Sequence, residues 1–311
     1  MIIGTGHHQY KWIDRWAVVP DTPSSRENGR THGVAVAESG NILVFHQANP
    51  AVLVYRHDAT LLDAWGANFP GAHGMTLVTE GEEEFLWLTD QNTAEVVKTT
   101  LDGKTIRSLP QPDHEAYVKG TYSPTWVAVN DERYGGNGDI WVADGYGMSL
   151  VHRFDRMGRY QGTVSGEEGR AGKFNCPHGV MFDYRSGKPE LTIADRGNKQ
   201  FQVYDQNGIF LRTFNDGISC PCAAIMGGSE LIIPELNAKL TVLDRNNRLV
   251  CHLGDNEQTC SVKGWPDHPR SRIEQGKFNS PHAVAADAAG NLFIVEWIVG
   301  GRITKLEKVT K

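Results

Sequence analysis

Three histidines recur at near-equal intervals along the chain: His73 in Ala-His-Gly-Met, His178 in Pro-His-Gly-Val and His282 in Pro-His-Ala-Val. The first two are 105 residues apart and the last two 104. Three neutral imidazoles that converge on one point, with a further position open, make the donor set of a catalytic divalent transition metal. Neutral ligands leave the double positive charge uncompensated. The ion then polarises a carbonyl and lowers the pKa of a bound water or hydroxyl. Zinc is the expected ion, with manganese or iron as alternatives. His32, followed by Gly33, opens an earlier segment in the same way. It is expected as a fourth ligand or as an acid/base beside the site.

Such spacing requires a repeating scaffold. Six segments share one pattern, starting at residues 32, 73, 125, 178, 222 and 282. Each opens with a short strand of small residues. A turn follows, then a hydrophobic strand, an alternating strand, an Asn/Gly/Asp turn and a fourth strand. Alternation of period two between such turns is the signature of antiparallel strands and hairpins. Four strands repeating every roughly 40–60 residues predict the blade of a propeller. The expected fold is all-β: a six-bladed β-propeller with four-stranded antiparallel blades, residues 1–311 forming a single NHL-type domain. Blades two, four and six would then each aim one histidine at a central channel. The sixth repeat runs out after Glu307 and lacks a fourth strand. Residues 10–19 have the pattern of that strand and are expected to close the last blade, which removes exposed sheet edges. Residues 109–122 and 253–277 are polar, proline-containing insertions and read as loops over one face.

In an antiparallel pair, the start of strand one and the end of strand two share one end. His46, Gln47, Asp90, Asp144, Tyr146, Asp195, Arg196, Glu235 and Glu296 therefore belong to the face that carries the histidines. The Asp series is expected to bond the backbone of the following turn. Tyr146 follows a glycine and breaks the Asp-x-Asn and Asp-x-Gly pattern of the neighbouring blades, which suits proton transfer or substrate positioning. Arg196 suits an anion.

Composition excludes several classes. The net charge of −6 offers no attraction to nucleic acid or to an anionic membrane. No apolar run approaches the roughly 18–20 residues of a membrane helix. No basic segment followed by an apolar one opens the sequence, so a cytoplasmic location is expected. Five cysteines, an odd and low number, make a disulfide framework unexpected, a Cys251–Cys260 pair being the one alternative to five thiols.

Stretches of the form Phe-x-x-Pro-His-Gly-Val, Ala-Asp-Arg-x-Asn and Val-Tyr-Asp, clearest at 174–205 and 278–296, resemble NHL-type propeller repeats. Within that superfamily the chain looks most like peptidyl-α-hydroxyglycine α-amidating lyase. The resemblance implies a catalytic zinc on His73, His178 and His282. It implies a catalytic tyrosine at Tyr146, in Asp144-Gly145-Tyr146, and a functional arginine at Arg196. The chain departs from the family at three places. Gln47 stands where an arginine follows a Phe-His pair, Ser280 where a methionine precedes the third histidine, and Ala283 where an acidic residue follows it.

The reading that follows is a metal-dependent, lyase-like enzyme acting on a hydroxylated small molecule. Tyr146 or His32 would take a proton, with His46 as the other candidate base. Arg196 or Gln47 would orient the substrate. The alternatives are a non-catalytic propeller that binds a partner, and a lactone hydrolase or sugar epimerase using the same site. The sequence does not set the oligomeric state.

Overall fold

The computed structural model describes residues 1–309. Its strands pair into six antiparallel sheets, five of four strands and one of five. These are the blades of a six-bladed β-propeller. The chain divides into two compact units.

One unit, Gly71–Met226, holds blades two to four. Blade two is Ala72–Glu80, Glu83–Asp90, Glu95–Thr100 and Thr105–Leu109. Blade three is Trp126–Val129, Ile140–Asp144, Leu150–Phe154 and Tyr160–Val164. Blade four is Pro177–Asp183, Glu190–Asp195, Gln200–Asp205 and Phe210–Phe214. Neighbouring sheets pack face to face through their alternating apolar residues. Trp87, Val96, Leu109, Tyr122, Val127, Ile140, Val142 and Phe154 form one such buried layer. Each aliphatic or Phe side chain removed from water there contributes about 1.5–3 kcal/mol.

The other unit, Met1–Pro70 with the chain from Gly227 onward, holds blades one and six and all of blade five but the start of its first strand. Blade one is Thr31–Val36, Ile42–His46, Val52–Tyr55 and Leu61–Trp65. Blade five is Ile225–Gly227, Glu230–Glu235, Lys239–Leu243 and Leu249–Leu253. Its first strand is shorter than the sequence pattern suggests, since Cys222 lies before it. Blade six runs Pro281–Ala286, Leu292–Glu296 and Arg302–Lys308, and Tyr10–Ala17 completes it. The N-terminal strand pairs antiparallel with the last strand, Lys11 opposite Glu307 and Trp12 opposite Leu306. Ile2–Ile3 adds a short fifth strand outside it.

The hairpins between third and fourth strands repeat one device. The side chains of Asp155, Asp205 and Asp244 each accept from two backbone N–H groups of the turn, at 2.8–2.9 Å. Gly158 and Gly208 then take a left-handed conformation, at φ 81° and 86°, that a side chain would strain. None of the five cysteines is in a disulfide, so the Cys251–Cys260 pair does not form. Among the described residues, no helix is long and apolar enough to cross a membrane.

Candidate functional site

Each of the four His-Gly or His-Ala positions sits on an irregularity of its sheet. In blade two the register slips between Ala72 and Met75, and in blade four between Pro177 and Val180. In blade six it slips between Pro281 and Ala283, and in blade one between Thr31 and Gly33. Every slip inserts one extra residue into the first strand, and that insertion spans the histidine. A β-bulge bends the strand and re-aims a side chain out of the normal alternation. Blade three, which has Thr125 in place of the histidine and Trp126 in place of the residue after it, is regular from Trp126 to Val129.

The imidazoles are oriented by a bond that occurs three times. His73 Nδ1 lies 2.8 Å from the Thr125 carbonyl, His178 Nδ1 2.7 Å from the Cys222 carbonyl, and His282 Nδ1 2.8 Å from the His32 carbonyl. Thr125, Cys222 and His32 are the opening residues of the next repeat in each case. A carbonyl only accepts, so each Nδ1 carries the proton and each Nε2 keeps its lone pair. This is the outer-shell arrangement that prepares a histidine to ligate a metal. Gly74 and Gly179 permit the approach. A Cβ at Gly74 would stand 2.5 Å from the Thr125 oxygen, and one at Gly179 2.4 Å from the Cys222 oxygen. His32 differs from the three, since its Nδ1 faces the Arg30 carbonyl at 3.1 Å, two residues back in its own strand.

In the unit that carries blades two to four, His73 and His178 are wholly buried, with ring centroids 4.7 Å apart. The Tyr146 hydroxyl lies between them, 3.2 Å from His73 Nε2 and 3.0 Å from His178 Nε2. Arg196 donates to the same hydroxyl at 3.3 Å and stacks over the Tyr146 ring at 5.3 Å. The tyrosine as a residue is 41 % exposed, while its hydroxyl is surrounded by His73, His178 and Arg196. Burial pushes its pKa up to about 12, with Arg196 opposing the shift. Arg196 is buried at a cost to its charge. Tyr146 and the thiols of Cys222 and Cys176 outweigh that cost and raise its pKa, so it stays cationic.

Cys176 was not singled out by its sequence context. Its Sγ accepts from Arg196 at 3.2 Å, and its φ of 59° is left-handed. Burial raises its pKa and keeps it a thiol. The signal available was weak: a single cysteine before Pro177-His178.

In the unit that carries blades one, five and six, His282 and His32 are buried and pack edge to face at 4.5 Å. The side chains of the other two candidates, His46 and Gln47, are engaged elsewhere. His46 Nε2 lies 2.6 Å from the Pro50 carbonyl, and burial lowers its pKa to about 4. Gln47 accepts from Asn28 through its side chain at 3.0 Å and donates from its backbone to the Arg30 carbonyl at 2.9 Å.

The buried carboxylates tie loops. Asp90 accepts from the backbone of Gly71, Asn92 and Thr93, and Asp144 from Ser123 and Met148. Asp195 accepts from Asn175, and Glu296 from Asn279 and Ser280. Each clamps the segment before strand one to the segment after strand two, as the turn-bonding expectation holds. The imidazole nitrogens, with Tyr146 and Arg196 beside them, therefore fit a divalent transition ion better than a calcium ion, which takes oxygen ligands.

The chain is a homologue of peptidyl-α-hydroxyglycine α-amidating lyases and of NHL repeat-containing proteins. It is 26 % identical over 301 residues to a probable peptidyl-α-hydroxyglycine α-amidating lyase of Caenorhabditis elegans, covering 87 % of this chain and 80 % of that one. It is 27 % identical over 235 residues to human NHL repeat-containing protein 3, covering 69 % of this chain and 65 % of that one. A third relative, peptidyl-α-hydroxyglycine α-amidating lyase 1 of Drosophila melanogaster, is 26 % identical, covering 89 % of this chain and 57 % of that one. No family model matches. Among solved structures, virginiamycin B lyase from Staphylococcus aureus superposes with a TM-score of 0.61 at 13 % identity, covering 96 % of this chain and 100 % of that one. A gluconolactonase from Xanthomonas campestris gives 0.64 at 14 % identity, covering 96 % and 90 %. These likenesses establish the propeller fold. Two of the three relatives are named as lyases, which supports an enzyme.

Proposed function

We propose that this protein is a metal-dependent lyase acting on a hydroxylated small molecule, with the ion held by His73, His178 and His282. The observation that carries the reading is the bond from imidazole Nδ1 to a neighbouring blade's carbonyl, repeated at these three histidines and not at His32. Simple structural histidines would have no reason to share one tautomer-fixing partner at three equivalent places.

When bound, the ion would supply Lewis acidity to a substrate oxygen. The chain's own groups divide the remaining work. Arg196, cationic and 3.3 Å from the Tyr146 hydroxyl, orients an anionic or carbonyl group of the substrate. Tyr146 Oη is the atom at which a proton is held or moved. The reaction class is an elimination. The carbinol O–H gives up its proton, the C=O forms, the C–N or C–O bond breaks, and the leaving atom takes a proton. No oxidant is needed. His32, packed on His282, is the second proton-handling group.

The commitment of the buried carboxylates to backbone N–H groups weighs against a lactonase built on oxygen ligands. A partner-binding propeller without catalysis needs no metal. Elemental analysis of purified protein and of a His178→Ala variant decides between them. The expected result is one zinc, manganese or iron per chain, lost in the variant. Release of glyoxylate from an α-hydroxyglycine-extended peptide then tests the reaction. Metal-free protein with full activity would overturn the proposal.

A further inference from the structure

We propose that Arg30 is a carboxylate-binding residue at the His282 end of the last blade, and that Asp267 occupies it until a carboxylate-bearing small molecule takes its place. The inference rests on the lyase reading only for the origin of that ligand.

Arg30 precedes the first strand of blade one. Its carbonyl accepts from Gln47 N at 2.9 Å and faces His32 Nδ1 at 3.1 Å, so its backbone is fixed beside the His32–His282 pair. Its guanidinium lies over the Trp297 ring, 4.7 Å from the centroid. Trp297 is held there by Ser280, through its own N–H to the Ser280 carbonyl at 2.8 Å and Ser280 Oγ to its carbonyl at 2.9 Å. Ser280 is two residues before His282. A planar cation laid flat on an aromatic surface presents its donor edge with little rotamer freedom left to lose. That is the form in which arginine recognises carboxylates.

The donor edge already holds one. Arg30 Nη1 and Nη2 donate to Asp267 Oδ1 and Oδ2, both at 2.7 Å. Asp267 is brought by the insertion 253–277. Its Oδ1 also accepts from Val299 N at 2.9 Å. The insertion does not depend on this side chain for its anchorage. Trp265 Nε1 donates to the Asn279 carbonyl at 2.9 Å, and Asn279 Nδ2 to the Pro266 carbonyl at 2.7 Å. Asp267 can therefore rotate away while its backbone stays. The side chain of Asp267 is 36 % exposed and that of Arg30 19 %, so solvent reaches the pair from the aspartate side. A small carboxylate can approach from that side and take over the two bonds.

The test uses metal-stripped protein and two probes, acetate and its neutral isostere acetamide. The Arg30 Nε–H and Trp297 indole N–H resonances are followed by NMR. Acetate is expected to shift both saturably and acetamide neither. Asp267→Asn removes the competing charge and should tighten acetate binding by about tenfold, the worth of a charge-assisted bidentate contact. Asp267→Ser should do the same. Arg30→Gln should abolish the acetate-linked shift at Trp297. The proposal is overturned if acetate binds Asp267→Asn no tighter than the unaltered protein, or if the Trp297 response survives Arg30→Gln. Loss of the folded state in both Asp267 variants would show a structural clasp and overturn it too. No turnover is read, so absence of lyase activity and absence of this site remain distinguishable.

Discussion

At the scale of single residues, side-chain type was legible and side-chain orientation was not. The triplet His73, His178 and His282 stands out because equal spacing in a repeat is visible in the string. The tautomer of each ring is set by the backbone carbonyl of Thr125, Cys222 or His32. Any residue type supplies a carbonyl, so no sequence pattern could reveal that bond. His46 and Gln47 show the converse. Their place after strand two suggested the site, yet their side chains are taken by Pro50 and Asn28. Tyr146 carries the first prediction. The residue is 41 % exposed and its hydroxyl contacts His73, His178 and Arg196, so Tyr146→Phe should open no core volume. The melting temperature should hold, and turnover should fall by about 10²-fold or more, the size of a general acid/base contribution. Equal turnover would move the proton to His32. A second prediction concerns acid stability. Burial lowers His46 to about 4 and His152 to about 3. In the unfolded chain both titrate near the ordinary value of about 6.5. Between those limits the unfolded state binds more protons. The neutral histidines' contribution is whole above about pH 6.5 and is lost as pH falls towards 4, by up to about 1.4 kcal/mol per histidine per pH unit. Urea denaturation at pH 7 and pH 5 measures it. His152→Gln should flatten the slope, and an unchanged slope would remove His152 from the account.

At the scale of elements, strand pattern and turn chemistry were readable, and the bulges were not. Hydrophobic alternation places strands. It does not show that one residue is inserted at each histidine, because a bulge is a matter of pairing between two strands. The glycine after the histidine was the visible trace. A Cβ at Gly179 would meet the Cys222 oxygen at 2.4 Å and the Ala223 Cα at 2.8 Å, both backbone atoms that cannot step aside alone. Gly179→Ala should therefore push the Cys222–Ala223 backbone away from the strand of Gly179 and break the Nδ1 bond of His178. The expected cost is about 1–3 kcal/mol of stability, the usual range for overpacking. Metal affinity should fall about 10–100-fold, as when an outer-shell partner is lost. Thermal melts and competitive chelator titration report the two effects separately. Ala283 occupies the matching place in blade six, so Ala283→Gly should leave metal affinity unchanged. If Gly179→Ala lowers stability and spares affinity, the carbonyl bond does not tune the ligand.

At the scale of the whole molecule, the six-fold repeat and the use of residues 10–19 to complete the last blade follow from counting strands. What makes that closure hold could not be counted. Arg302, in the last strand, has no exposed side-chain surface. It donates to Glu296 at 2.8 Å and to Asp14 of the N-terminal strand through Nε at 2.8 Å and through Nη2 at 2.5 Å. It also bonds the carbonyls of Lys277 and Glu274, and it stacks over Trp12 at 5.4 Å. One cation thus joins the strand Tyr10–Ala17, the last two strands and the insertion before them. Sequence distance hides this, since Asp14 and Arg302 are 288 positions apart. A buried charge that loses its partner costs more than the pair contributes, about 3–5 kcal/mol. Arg302→Met should cost that much, because Glu296 stays buried with its countercharge gone. Pairing Arg302→Met with Glu296→Gln should recover part of the loss, which separates stranded charge from lost packing. Deleting residues 1–20 removes Asp14, Trp12 and the strand they belong to. It should leave blade six with an open edge and the protein aggregated. We propose that the chain melts as one domain, in a single calorimetric transition. Arg302→Met should shift that transition downward without splitting it. A split transition would mean that the two compact units unfold separately, and a soluble, cooperatively melting deletion would mean that the N-terminal strand is not what closes the propeller.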